Sequence, residues 1–121
     1  MITLKRAYDS ASPDDGPRFL VERLWPRGVR KTRLKLDGWL KDVAPSPALR
    51  KWFGHDPKKW PQFKRRYFRE LSRHKASLEP LLRAAQRGRV TLIFSSRETL
   101  HNNAVALSTY LARRLHPGKT G

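Results

Sequence analysis

The sequence predicts a small α/β fold: a largely parallel, three-stranded sheet packed with about five helices in Rossmann-like layers. The clearest strand is 90–94, a short and mostly apolar run typical of a central strand covered on both faces. Two further β-rich runs lie near the N-terminus, and a long stretch with helical periodicity separates them from 90–94. So long a crossover favours parallel pairing with right-handed connections.

The first two strands are predicted from short apolar patterns. Residues 2–8 alternate loosely between apolar and polar side chains, as in a half-buried strand. Residues 18–24 form the second β-rich run, which stops at the turn sequence Trp-Pro-Arg-Gly of residues 25–28. The basic segment 29–35 has no period, so we expect an exposed loop there.

Helix signals then follow one another along the chain. Leu36, Trp39, Leu40 and Val43 are spaced as on one helix face. Ser46 and the proline after it predict the start of a short helix, which closes at Gly54.

Three more helices complete the predicted set. Asp56-Pro57 repeats the start signal for a long helix, whose first turn Pro61 makes irregular. That helix is expected to break at 74–77, and the next one ends at Gly88. The last helix carries apolar residues at helical spacing from Ala104 to 115.

Length and composition predict one domain over residues 1–116 and a flexible tail at 117–121. The 121 residues include no cysteine, so disulfides, thiolate metal sites and cysteine nucleophiles are excluded. There is no apolar run long enough to cross a membrane and no hydrophobic signal segment, so we expect a cytoplasmic protein that does not associate with membranes.

Charge is the strongest compositional signal. Lys and Arg number 27 against ten carboxylates, for a net charge of +17 and a pI near 11.4. Such a field concentrates anions, so the expected partner is an anionic small molecule or nucleic acid. The alternative is a solvated basic surface with no function of its own.

Four stretches in order resemble the YeaO-like family of uncharacterised proteins. They read Glu-Arg-Leu-Trp-Pro-Arg-Gly at 22–28, Leu-Asp-Gly-Trp-Leu-Lys-Asp-Val-Ala-Pro-Ser at 36–46, Leu-Arg-Lys-Trp-Phe-Gly-His-Asp-Pro at 49–57 and His-Asn-Asn-Ala at 101–104. The resemblance runs from residue 2 to about residue 115 and implies a compact α/β fold, with no settled activity to carry over. Two positions depart from the family pattern: Glu22 replaces an aspartate, and Asn103 replaces the second histidine of His-Asn-His.

The first candidate site follows the second strand. Arg23 and Arg27 are placed to clamp a phosphate or carboxylate, and Trp25 offers a ring for stacking beside Gly28. Ligands of open α/β sheets bind outside the carboxyl ends of the strands. The competing interpretation is a structural turn, with Trp25 in the core and Arg23 paired to Asp37 or Asp42.

The second candidate site lies between the third strand and the last helix. Ser95, Ser96, Arg97 and Asn102 are candidate ligand-binding residues there, and His101 is the candidate catalytic acid or base. The competing interpretation is helix capping by Thr99, Asn102 or Asn103, with His101 packed against a neighbour.

The remaining groups of polar and charged residues give weaker indications of a functional site. His55 beside Asp56 is better explained by Gly54 ending one helix and Asp56 capping the next. The four histidines are far apart without paired-ligand spacing, so no metal is expected, and no cofactor motif is present. The outer face of the basic helix, residues 58–75, is either a phosphate-binding surface or a solvated face.

Three hypotheses therefore stay open. The residues at the strand ends favour a binder of, or a small enzyme acting on, a phosphate-bearing or otherwise anionic ligand in a cationic pocket. The charge favours a non-specific nucleic-acid-binding protein. The third hypothesis is a structural or partner-binding domain without a pocket.

Overall fold

A computed structural model describes residues 1–117 as an α/β arrangement of four strands and five α-helices. The strands are β1 (Ile2–Arg6), β2 (Arg18–Leu20), β3 (Gly38–Trp39) and β4 (Val90–Phe94), and the α-helices are α1 (Lys31–Leu34), α2 (Pro47–Phe53), α3 (Trp60–Ser72), α4 (Glu79–Arg87) and α5 (Asn103–Leu115). Single 3-10 turns occupy Pro13–Asp15, Lys41–Val43, Pro57–Lys59 and Lys75–Leu78. The flexible tail predicted at 117–121 lies, from residue 118 onward, outside the described residues.

The sheet is entirely parallel, with the strand order β1-β4-β2-β3. β4 sits between its two partners, with Ile2 opposite Val90 and Leu20 opposite Ile93. All five residues of β4 are buried, which confirms the central strand predicted from its apolar composition. The sheet has four strands instead of the predicted three, because residues 38–39 add a short strand at the edge beside β2.

Apolar residues cover the two faces of the sheet unequally. The larger core cluster contains residues of α2, α3, α4 and α5 together with Val90, Leu92 and Phe94 on one face of β4. The smaller cluster gathers Leu20, Leu34 and Ile93 on the other face, beside Trp25 and Trp39. The alternation of β4 side chains separates the clusters. Four of the five α-helices thus pack on one side of the sheet and α1 on the other.

The helix predicted at 36–43 is wrong. The Asp37 amide donates to the Arg18 carbonyl at 2.7 Å and the Leu40 amide to the Leu20 carbonyl at 2.8 Å, so the chain runs beside β2 as the short strand β3 before the 3-10 turn at Lys41–Val43. Its apolar residues divide between the faces of the sheet: Trp39 packs on the smaller cluster, and Val43 belongs to the larger one. Sheet pairing has overridden the helical spacing.

Two further boundaries differ from the sequence prediction. The exposed loop expected at 29–35 contains α1, because Leu34 is needed to fill the smaller cluster and is fully buried. The first two strands are shorter than predicted, ending at Arg6 and Leu20. Their remaining residues form the loops that lead away from the carboxyl edge of the sheet.

The helix signals from residue 46 onward are confirmed. The Ser46 hydroxyl accepts from the Leu49 amide at 3.2 Å, and Gly54 ends α2 with a φ of 54°. The Asp56 carboxylate accepts from the Lys58 amide at 3.0 Å. Pro61 follows a 3-10 turn, which is the irregular start predicted for the long helix. Among residues 1–117, no helix combines the length and apolarity that a membrane span requires.

A buried ion pair supports the amino-terminal edge of the sheet. The Arg18 guanidinium lies 2.6 Å from the Asp15 carboxylate and donates twice to the Leu34 carbonyl, at 3.0 and 2.9 Å. Lys5 lies 3.1 Å from the same carboxylate. The Thr91 hydroxyl donates to the Asp15 carbonyl at 2.7 Å. Asp15 therefore joins residues of β1, β2 and β4, and Arg18 connects this group to α1.

We expect Asp15→Asn to destabilise the fold by about 2–3 kcal/mol, because it leaves the buried Arg18 charge without its partner. Chemical denaturation measures the free energy of unfolding. Asp14→Asn is the matched control, since it removes the same charge from an exposed neighbour. Equal losses in the two variants would contradict a structural role for the ion pair.

The Asp15 carboxylate also makes the stability of the fold depend on pH in the acid range. Burial by itself raises the pKa of Asp15, but hydrogen bonds from the Ser12 amide, Lys5 and Arg18 outweigh it and hold the pKa below 3.8. The stabilisation is therefore complete above about pH 4 and is lost as the pH falls through the folded-state pKa. Denaturation series between pH 5 and pH 2 should show a smaller acid-induced loss in Asp15→Asn than in the parent protein.

Candidate functional site

A cleft of about 460 Å³ opens at the carboxyl ends of the two central strands, β2 and β4. Its walls come from the loops after these strands, from α2 and the segments on both sides of it, from α3 and from the start of α5. The lining residues are Glu22, Ala44, Pro45, Pro47, Arg50, Lys51, Phe53, His55, Phe63, Ser95, Ser96, His101, Asn102 and Asn103. This is the edge of a parallel sheet where ligands bind in α/β proteins.

Glu22 and Ser95 tie the two strand ends together at this cleft. The Glu22 carboxylate accepts from the Ser95 amide at 3.1 Å and from the Ser95 hydroxyl at 2.5 Å. The Glu22 carbonyl accepts from the Trp39 indole at 2.6 Å. Because a carboxylate has about four acceptor positions, Glu22 keeps capacity for a donor from a ligand.

The start of α5 is fixed by two asparagines. The Asn102 side chain accepts from the Val105 amide at 3.0 Å and donates to the Glu98 carbonyl at 2.7 Å. The Asn103 side-chain amide donates to the Val21 backbone carbonyl at 2.8 Å. The capping interpretation of Asn102 is confirmed, and Asn103 connects the helix to the end of β2.

His101 is held by a carboxylate and an aromatic ring. Its Nδ1 lies 3.0 Å from the Glu98 carboxylate, and its ring meets Trp60 edge-on at 5.3 Å between centroids. The Glu98 carboxylate also accepts from the amides of Leu100 and His101, at 2.5 and 2.9 Å. The bonds from the His101 ring and these amides lower the pKa of Glu98 to about 2, so Glu98 is ionised and closes the loop around His101.

Positive charge reaches the cleft from α2. Arg50 and Lys51 are exposed on this helix and line the cleft, and His55 follows its end with a φ of 59°. Glu22 is the only carboxylate among the lining residues. The rim is therefore cationic, whereas the inner wall combines hydroxyl and amide groups with the rings of Phe53 and Phe63.

A second layer of polar contacts holds α2 and α3 in place. Glu70 accepts from both the amide and the hydroxyl of Ser46, at 2.8 and 2.6 Å. The buried Tyr67 hydroxyl donates to the Val43 carbonyl. Burial and the Glu70 charge raise the pKa of Tyr67 well above 10, so it remains a neutral donor.

The cleft gathers only part of the predicted site. Ser95, Ser96, Asn102 and the candidate catalytic His101 line it, whereas Arg97 is exposed and absent from its lining. The predicted residues that follow β2, which are Arg23, Trp25, Arg27 and Gly28, do not line it either. The loop after β2 reaches the cleft through Glu22 alone.

Each of these four residues has another environment. Arg23 donates to the Pro45 carbonyl at 3.0 Å instead of pairing with Asp37 or Asp42. The half-buried Trp25 packs against Trp39 and donates to the Val29 carbonyl at 2.6 Å. Arg27 is exposed. Gly28 has a φ of 78°, which a tight turn between Pro26 and Val29 requires.

Comparison with known proteins decides the family. The family model described as "Inactive DUF488-N3 subclade" matches residues 1–120. The chain belongs to this family. An uncharacterized protein of Escherichia coli, YeaO, is 41% identical over 110 residues, which cover 91% of this chain and 96% of YeaO. An uncharacterized protein of Mycobacterium tuberculosis is 38% identical over 113 residues, covering 93% and 95%. No solved structure matches.

The family assignment confirms the YeaO-like resemblance. The two residues that depart from the family pattern, Glu22 and Asn103, both form hydrogen bonds between structural elements. Glu22, in place of the aspartate, reaches across to Ser95 with both oxygens. Asn103, in place of the second histidine, forms the bond to Val21. In this YeaO-like protein both positions hold the strand ends and α5 together.

Sequence reasoning missed the cationic rim and the aromatic wall. Arg50 and Lys51 carry no distinctive motif, and the rings of Phe53 and Phe63 belong to an ordinary buried stripe. Only the folded arrangement, in which α2 and α3 face the strand ends across one cleft, makes them site residues. Within residues 1–117, no three His, Asp or Glu side chains cluster as a metal site would require.

We expect Glu98→Ala to loosen the loop before α5, because the Leu100 and His101 amides lose their acceptor. Hydrogen exchange of these two amides should accelerate, while the free energy of unfolding changes little because the Glu98 side chain is 32% exposed. Glu79→Ala, which removes an exposed carboxylate paired with Arg83, is the control. Unchanged exchange at Leu100 and His101 would contradict the role of Glu98.

Proposed function

We propose that this protein binds a small anionic ligand in the cleft at the carboxyl ends of β2 and β4. The observation that carries the proposal is the pairing of a cationic rim with a polar inner wall inside one cavity. Arg50 and Lys51 provide the rim, and Ser95 and Ser96 lie on the inner wall. The volume of about 460 Å³ falls within the range of small-molecule sites.

Three parts of the cleft support this proposal by the ligand groups that they suit. Arg50 suits a phosphate or carboxylate, because a guanidinium donates to two oxygens of such a group at once. Glu22 suits a hydroxyl or amino group, since its oxygens accept further hydrogen bonds. Phe53 and Phe63 suit an apolar or planar body between those two ends.

Binding, and not catalysis, is the activity we propose. The bond between the Nδ1 of His101 and Glu98 does not decide between the two, because a carboxylate holds Nδ1 in catalytic histidines as well and leaves Nε2 free. The family description, which calls the subclade inactive, supports binding. His101 then positions the loop that carries Ser95 and Ser96, with its Nε2 as the remaining group for a ligand.

The test is calorimetric titration of the protein with inorganic phosphate, adenosine monophosphate, glucose 6-phosphate and citrate. Arg50→Gln should weaken the binding of a ligand from this panel by roughly 10- to 100-fold, since a charge-assisted hydrogen bond contributes about 1.5–3 kcal/mol. Lys51→Gln should weaken it less, because an ammonium donates to the anion from one point only.

Lys31→Gln is the control, since it removes one positive charge from α1 on the opposite face of the sheet. Its affinity should equal that of the parent protein. Equal weakening in Arg50→Gln and Lys31→Gln would mean that the net charge, and not the cleft, attracts the ligand. Absence of binding by all four probes would also contradict the proposal.

A further inference from the structure

The outer side of α3 and of the turn before it forms a second charged feature, separate from the cleft. Its exposed cations are Lys58, Arg65, Arg66, Arg69 and Arg73, which we call the cationic face. The opposite side of α3 is buried through Phe63, Tyr67 and Leu71. None of the five cations lines the cleft.

Positive charge is concentrated in this part of the chain. Residues 47–75 contain ten of the 27 Lys and Arg residues but only two of the ten carboxylates. These 29 residues therefore carry a net charge of +8, whereas the other 92 residues together carry +9. The excess charge of the protein is thus a local feature and not an even coating.

The two carboxylates in this segment do not neutralise the face. Asp56 accepts from the Lys58 amide as a helix cap, and Glu70 is engaged by Ser46. The ion pairs within residues 1–117 involve other basic residues, which are Lys5, Arg18, Arg83 and, in its protonated form, His101. The cationic face therefore presents charge that no carboxylate of the described chain pairs with.

Geometry arranges these charges as a row. Arg65 and Arg69 of α3, and Arg73, in helical conformation directly after its last residue, follow each other at every fourth residue, so they lie along one side of the helix with a rise of about 6 Å between them. The Arg66 guanidinium lies 4.1 Å from the ring centroid of Trp52. This cation–π contact holds the Arg66 side chain against α2.

We infer that the cationic face binds the phosphate backbone of nucleic acid without reading its sequence. A linear polyanion matches a row of evenly spaced arginines, since backbone contacts need charge and spacing but no base-specific groups. An anionic membrane is a poorer match, because helices that bind membranes insert apolar side chains. The large exposed apolar residues, Met1, Tyr8, Leu24 and Leu100, are all outside this face.

The test measures fluorescence anisotropy of labelled single- and double-stranded oligonucleotides of mixed sequence over about 50 to 200 mM salt. The parent protein should bind both, with an affinity that falls steeply as salt rises. The triple variant R65Q/R69Q/R73Q should lose roughly tenfold or more in affinity at low salt. Its log–log salt slope should become shallower by about 2 to 3, because three phosphate contacts are lost.

The variant R30Q/K31Q/K35Q is the matched control, since it removes the same charge around α1 on the opposite face of the sheet. Its salt slope should stay close to that of the parent protein. Equal losses in the two triple variants, a salt-independent affinity, or tighter binding to phosphatidylserine vesicles than to oligonucleotides would overturn the inference. Thermal melting of both variants verifies that they fold.

This inference does not rest on the cleft. Replacing Arg65, Arg69 and Arg73 does not change the lining of the cleft. The small-anion titrations should therefore give the same affinities for R65Q/R69Q/R73Q as for the parent protein. Failure of the cleft proposal leaves the oligonucleotide result unaffected, and failure of the oligonucleotide test leaves the titrations unaffected.

Discussion

The pairing of β4 with both β1 and β2 is the constraint on which the rest of the structure depends. β4 is buried along its whole length, and its side chains divide the apolar residues into the two core clusters. Its amino end lies beside the buried Asp15 and Arg18, which connect the loops there. Its carboxyl end delivers Ser95 to Glu22. The buried ion pair and the candidate site therefore lie at opposite ends of β4.

Most polar groups that line the cleft also form hydrogen bonds or ring contacts within the protein. Ser95, Asn102 and Asn103 each hold a partner in the protein, and His101 is held between Glu98 and Trp60. Every buried side-chain polar atom within residues 1–117 has a hydrogen-bond partner. Such a wall is rigid before a ligand arrives, so little ordering remains to oppose binding. The exposed Arg50 and Lys51 are the adaptable groups at its rim.

Sequence reasoning succeeded where one local signal decides the structure. The cap at Ser46, the stop at Gly54 and the uniformly apolar 90–94 run each act over a few residues, and all three elements formed as predicted. It failed at residues 36–43, where Asp37 and Leu40 bond to β2 and their spacing gives no sign of this. It also placed Arg23 and Arg27 in the pocket. No residue of their loop after Glu22 lines the cleft, and the cations of the lining come instead from α2.

The central position of β4 also has a consequence for how the chain acquires its structure. Ile2 pairs with Val90, and Leu20 pairs with Ile93. The centre of the sheet therefore forms only through contacts between residues that are distant in sequence. During synthesis at the ribosome, β1 and β2 emerge early, each with an open edge and an apolar surface, and they cannot pair through β4 until most of the protein has been made. Folding dominated by such long-range closure is slow, and nascent chains in this state are prone to aggregate. The dense positive charge of residues 47–75, which emerges in between, keeps neighbouring unfinished chains apart by repulsion.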